Sequence, residues 1–278
     1  MTRCWLVTGC SSGLGLALAT AVVGAGDRLV ATSRGPSALD GLAADCPDRM
    51  ATTRLDLRDA DSCAAAVRLA EERFGGVDVL VNNAGAGLFG AVEEVSDEEL
   101  RAQLEILAVA PWRLARLVLP GMRARGSGHI VNVSSLAGRV AFPGLGAYVA
   151  GKYALEGMSQ ALAVEAAAFG IRVTVLEPGG FATEYGNSIA ASAVRLAAYD
   201  PATGPMRDAM RGMKDNADLS RPEDFAALVL RTVATDGTPL RLPVGPDAYA
   251  YLDTVEEHSR QELAAARAFA LGDARADG

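Results

Sequence analysis

Short apolar runs alternate with longer stretches in which apolar positions recur every three or four residues, and this rhythm continues from residue 4 to about residue 245. Runs at about 4–8, 28–32, 51–55, 77–81, 129–134, 171–176 and 239–244 read as buried strands. The helical periodicity predicts helices near 13–25, 36–44, 60–74, 97–124, 147–169, 187–198, 205–214 and 221–235. Strands followed in turn by helices predict a parallel sheet with right-handed crossovers and helices on both faces. The fold class is therefore α/β, a doubly wound parallel sheet of about seven strands. Such sheets bind ligands at the carboxyl ends of their strands, so the residues that follow each run are where chemistry is expected. From Asp247 the tail (Ala248, Tyr249, Leu252, Val255, then Leu263 to Leu271) predicts an extra amphipathic helix within 247–278, covering the pocket or a neighbouring subunit.

Composition narrows the class. The 278 residues are 50% hydrophobic and 22% charged, with 30 glycines, and no Pro/Ser-rich linker or charge block divides them, so 1–278 reads as one domain. A formal charge of −8 argues against nucleic acid as a partner, which calls for a basic footprint. Cys4, Cys10, Cys46 and Cys63 show neither CxxC nor metal spacing, and the only histidines are His129, a strand-start residue, and His258, a solvated one. Neither a metal site nor a disulfide framework is expected, and a reducing compartment is. Residues 1–25 lack the marks of a signal peptide and no apolar run reaches the roughly 18 residues of a membrane span. A cytoplasmic location with no membrane partner is expected.

The chemistry is carried by two places. Tyr148 and Lys152 stand four residues apart at the head of a helix, on one face, where an ammonium favours a phenolate; a free tyrosine titrates near about 10 and a nearby cation lowers that. Ser135 lies thirteen residues upstream, at the end of a strand. Alone, Tyr-x-x-x-Lys is also an ordinary surface pair. The second place is Thr8-Gly9-Cys10-Ser11-Ser12-Gly13-Leu14-Gly15, between the first strand and the first helix. Its glycines let backbone approach a pyrophosphate, and free N–H groups at the helix start face the anion.

The spacing T-G-x-x-x-G-x-G, with Asn82-Asn83-Ala84-Gly85, Ser135, Tyr148/Lys152 and Pro178-Gly179 leading to Thr183, resembles the short-chain dehydrogenase/reductase family over residues 3–183. The resemblance implies a Rossmann-type fold that binds NAD(H) or NADP(H) and interconverts a carbonyl and an alcohol. It implies Tyr148 as general acid/base, Ser135 orienting the substrate oxygen in preference to Ser134, and Lys152 acting on the tyrosine and holding the nicotinamide ribose. Gly9, Ser11, Ser12, Gly13, Leu14 and Gly15 would cradle the pyrophosphate. Asp56 and Leu57 would flank the adenine, and Asn83, Ala84 and Gly85 would meet the adjacent ribose region. Pro178, Gly179, Phe181 and Thr183 would approach the nicotinamide amide. At the end of the second strand Ser33 stands where an NAD enzyme carries an acid, and Arg34 follows. No carboxylate repels a 2′-phosphate there, which favours NADP(H); Arg34 as a solvated strand-end residue is the alternative. Family habit implies a homodimer or homotetramer through the helices around 97–124 and 147–169.

One position departs from the family. Its usual helix asparagine, whose backbone holds a water linking Lys152 to solvent, falls at Leu107, twelve residues before Leu119-Pro120. Either the backbone carbonyl suffices, or the relay is rebuilt, or turnover is slow, or the fold serves another reaction. Met206, Met210 and Met213 share a helical face, and with Phe142, Leu145, Phe181, Tyr185, Ile189 and Tyr199 they form either an adaptable lid, within 183–218, over a bulky hydrophobic substrate of polycyclic or polyketide-like kind, or a helix packed on the core. The leading expectation is an NADP(H)-dependent ketone/alcohol oxidoreductase. A non-redox cyclase, dehydratase or epimerase, and a weakly catalytic NADP-binding protein, are the alternatives motivated by Leu107.

Overall fold

A computed structural model describes residues 2–216 and 218–271; the end of the predicted tail, 272–278, and position 217 of the predicted lid lie outside the described residues. The strands are β1 (Cys4–Thr8), β2 (Arg28–Ser33), β3 (Met50–Arg54), β4 (Val79–Asn82), β5 (Leu88–Phe89), β6 (Gly128–Val133), β7 (Ile171–Pro178), β8 (Ala190–Ala191) and β9 (Arg241–Val244). The helices are α1 (Gly13–Gly24), α2 (Asp40–Asp45), α3 (Ala60–Phe74), α4 (Asp97–Leu104), α5 (Ala110–Arg125), α6 (Gly146–Ala167), α7 (Tyr185–Ser188), α8 (Asp200–Arg211), α9 (Pro222–Ala234) and α10 (Pro246–Leu271).

Seven strands form one parallel sheet in the order β3-β2-β1-β4-β6-β7-β9. The order reverses between β1 and β4, which opens a crevice at their carboxyl ends. Alternate residues of β1 feed opposite cores: Leu6 packs with Ala66, Leu114 and Met122 of α3 and α5, whereas Trp5 and Val7 pack with Leu18 of α1 and Phe225 of α9. Burial on both faces is why the central strands β1 and β4 are largely apolar. Local signals set the helix ends. Asp59 caps α3 by accepting from the Asp61 N–H, Gly75 closes it at φ 83°, and Ser96 and Glu99 make a reciprocal capping box on α4.

The structure corrects four predicted helices. The stretch 36–44 opens as a 3-10 turn at Pro36–Leu39 before α2. The helix expected over 97–124 is interrupted by a π-helical turn at Glu105–Val109, in which the Ala110 N–H reaches back to the Glu105 carbonyl. The expected helix 187–198 is absent: α7 ends at Ser188 and the chain then pairs as β8 with β5, with Ala190 N donating to Gly87 O and Ser192 N to Phe89 O. The helix expected at 205–214 begins earlier, at Asp200, and ends at Arg211. Among the described residues no helix is long and apolar enough to cross a membrane.

Candidate active site

The turn after β1 is shaped by absent side chains. Gly9 sits at φ 75°, and a Cβ there would lie 2.8 Å from the Ala84 Cα. A Cβ on Gly15 would lie 2.0 Å from the Gly9 carbonyl oxygen, so backbone fills the space a side chain needs. Thr8 laces this turn to the strand beside it: its Oγ1 accepts from the N–H groups of Asn83 (3.0 Å) and Ala84 (2.9 Å). The Asn83 side-chain amide donates to the Thr8 and Gly9 carbonyls. At the start of α1 no side chain caps the backbone and no acidic residue occupies the first turn, leaving its N–H groups to an anion. Burial pushes the Cys10 thiol up to about 12, which disfavours its thiolate.

At the end of β2 the Ser33 hydroxyl is buried and has no hydrogen-bond partner, while Arg34 is exposed at the rim. Asp56 receives a bidentate contact from Arg58, Nε at 3.0 Å and Nη2 at 2.8 Å, and these hydrogen bonds hold its carboxyl down at about 2. The glycine cradle, the uncapped helix start and the orphaned Ser33 hydroxyl together fit a dinucleotide with its ribose at Ser33.

On the other side of the crevice, β6 runs into Ser134 and Ser135. The Ser135 Oγ accepts from the Ala137 N–H at 3.1 Å. The Ser134 Oγ is buried and unpartnered, close to where a Cβ on Gly138 would sit. Tyr148 and Lys152 project from successive turns of α6; the Lys152 ammonium donates to the Val133 carbonyl at 2.8 Å and lies 5.6 Å from the centre of the Tyr148 ring. Both side chains are buried, and no carboxylate forms an ion pair with Lys152 among the described residues. Leu107, on the π-turn, is 1% exposed and fills the space against Gly151, where a Cβ would meet its Cδ1 at 2.8 Å.

The loop after β7 closes the crevice. Gly179 N donates to Val244 O at 2.9 Å, Ala182 N to Ser220 O at 3.0 Å, and Phe181 packs edge-on against Phe225. All of the residues proposed from sequence for catalysis and cofactor binding line one cavity of about 1250 Å³. Phe142, Leu145, Tyr185, Met206, Met210 and Met213 line it too. Ile189 and Tyr199, expected with them, do not: Ile189 packs near Gly87, and the Tyr199 hydroxyl donates to Glu93 at 2.5 Å.

The model of the family described as short chain dehydrogenase matches residues 3–193. The chain belongs to the short-chain dehydrogenases. It is 39% identical over 258 residues to Oxidoreductase BOA17 of Botryotinia fuckeliana, covering 92% of this chain and 94% of that one. It is 33% identical over 241 residues to a 3-ketodihydrosphingosine reductase of Bacteroides thetaiotaomicron, covering 87% of each. The crystal structure of a short-chain dehydrogenase from Streptomyces avermitilis superposes with a TM-score of 0.91 at 41% identity, covering 98% of this chain and 99% of that one. This short-chain dehydrogenase is thus an NAD(P)-dependent oxidoreductase.

Three residues in or behind the site escaped sequence reasoning. Thr8 was legible as part of the motif but its role as acceptor for two backbone N–H groups was not. Arg58 adds a second cation at the rim near Arg34. Asp247, at the start of α10, accepts from the Gly180 N–H, across 67 residues of sequence, and no local signal announces that contact. The tail, expected to cover the pocket or a neighbouring subunit, begins against the pocket wall: Ala248 and Leu252 pack on Leu136, Val140 and Phe142.

Proposed function

We propose that this short-chain dehydrogenase interconverts a ketone and a secondary alcohol with NADP(H), on a bulky hydrophobic substrate. The observation that carries the reading is the meeting of Ser135, Tyr148 and Lys152 in the cavity that the glycine cradle opens and that Met206, Met210, Phe142 and Leu145 line. When bound, NADPH supplies the hydride. The chain's own residues manage the oxygen. Tyr148 hands its phenolic proton to the carbonyl oxygen as charge develops there, and Ser135 donates a hydrogen bond that orients it. Lys152 keeps a positive charge under the Tyr148 ring, which favours the phenolate left behind.

Leu107 does not argue against this role. A π-turn breaks the regular pairing of helix carbonyls and is frequent at functional sites, and this one lies next to Lys152. The backbone carbonyls there can hold a water without a side-chain amide. NADP(H) is preferred because the orphaned Ser33 hydroxyl takes the place of a carboxylate, and Arg34 and Arg58 bring positive charge to the same rim. The named activity of the Bacteroides relative, on a keto compound, is consistent with the apolar lining. Assembly of copies through the helices around 97–124 and 147–169, and a cytoplasmic location, belong to the same reading.

The test follows absorbance at 340 nm over a panel of hydrophobic ketones. NADPH oxidation that falls about 100-fold or more in Tyr148→Phe is expected. Product formation without NADPH consumption would sink the redox reading.

A further inference from the structure

Tyr185 opens α7, directly after the nicotinamide loop, and its ring stacks at a tilt against Tyr148, centroids 6.1 Å apart. The residue as a whole is only partly buried, yet its hydroxyl oxygen is sealed from solvent and has no hydrogen-bond partner. It is seated among Leu107, Leu145, Met206 and Met210, an apolar cluster in which the Tyr148 phenol is the polar group beside it. Gly87 makes room for it, since a Cβ there would come 3.0 Å from the hydroxyl. A phenol sealed in apolar surroundings with another phenol as its polar neighbour is poorly satisfied, the more so once Tyr148 turns to a ligand, and a phenylalanine would fill the same volume without that cost. Burial and the neighbouring Tyr148 phenol hold Tyr185 well above its ordinary value, so it stays a donor.

We infer that Tyr185 is a specificity-determining residue whose hydroxyl binds a second oxygen of the substrate, so that the preferred ligands are hydrophobic ketones bearing a carbonyl or hydroxyl one or two carbons from the reacting carbonyl. The two phenols lie side by side on one wall of the cavity. A ligand oxygen seated on Tyr148 therefore brings only its near neighbours within reach of Tyr185. A 1,2- or 1,3-dioxygenated ligand satisfies both donors; a plain ketone leaves the Tyr185 hydroxyl stranded, and sites that strand a buried polar group discriminate strongly. The choice of ligand rests on the ketone-reducing reading, but the contact is measurable without turnover.

The full chain, saturated with NADP+, is titrated calorimetrically with 1-phenylbutane-1,3-dione and with its monoketone counterpart 1-phenylbutan-1-one. The dione is expected to bind about tenfold tighter or more, and the ratio is expected to collapse towards one in Tyr185→Phe. Equal affinity in the unaltered protein overturns the inference, and needs no variant to do so; a ratio that persists in Tyr185→Phe overturns it as well. If the ratio behaves as expected while neither compound is reduced by NADPH, the inference stands and the ketone reductase reading falls.

Discussion

The carboxylate of Asp247 accepts a hydrogen bond of 2.6 Å from the backbone N–H of Gly180. The missing side chain of Gly179 makes room for that carboxylate, since a Cβ there would lie 2.4 Å from the same oxygen. The loop after β7, proposed to meet the nicotinamide, is therefore held by a residue 67 positions on. Asp247→Ala is expected to weaken NADPH binding about tenfold or more, the loss of one charge-assisted hydrogen bond. Fluorescence titration of NADPH reads it, and an unchanged affinity would show that Val244 and Ser220 suffice to fix the loop.

Gly15→Ala is expected to abolish cofactor binding. The new methyl group would fall 2.0 Å from the Gly9 carbonyl oxygen, which is cradle backbone, and 2.6 Å from the Asn83 side-chain amide nitrogen that braces it. Overpacking of this kind costs about 1–3 kcal/mol, so the melting temperature should drop by several degrees while NADPH no longer raises it. Protection by NADPH in the variant would contradict the placement of the cradle.

Arg34→Ala is expected to lower the preference for NADPH over NADH about tenfold, by removal of a donor to the 2′-phosphate. The ratio of the two dissociation constants measures this. Arg58→Ala should move the same ratio less, because Arg58 is committed to Asp56.

Leu107→Asn separates packing from proton supply. The side chain is buried against Gly151 and Gly85, so loss of its apolar contacts is expected to cost about 2–5 kcal/mol, read from the urea midpoint. Turnover and its solvent isotope effect are expected to stay within about twofold if the π-turn backbone already serves the relay. A faster variant would show that an amide had been missing.

His129 makes stability depend on pH. It is buried on β6 with its Nε2 2.9 Å from the Thr174 hydroxyl, and burial pushes its imidazole down to about 3 from an ordinary 6.5. The unfolded chain takes up the proton first, so this contribution is whole above about pH 6.5 and is lost as pH falls towards 3. Between pH 7 and pH 5 the loss should be about 2 kcal/mol. Urea unfolding at both pH values should show a smaller difference in His129→Gln.

Much of this was legible because the signals are local. The glycine turn, the apolar strands and the Tyr148–Lys152 spacing lie within single elements or at their joints, so sequence order carries the geometry. The segment 187–198 shows the opposite case. Its alanines suit a helix, yet the ladder to β5 takes the backbone of Ala190 to Ser192, and just after it Glu99 accepts from the Ala193 N–H and Glu94 from the Leu196 N–H. Long-range partners override a weak local preference there. The reach of Asp247 to Gly180 is of the same kind, a contact set from across the fold.

The last helix draws a boundary inside itself. Its opening turns carry Asp247 against the loop after β7 and bury Ala248 and Leu252, and Glu256 meets Arg139, which in turn meets the buried Glu177. Beyond that point Leu263, Phe269 and Leu271 stand exposed. Shortening the chain from its C-terminus should be silent for several turns and then, within a span of a few residues near Glu256, turn into a loss of cofactor affinity.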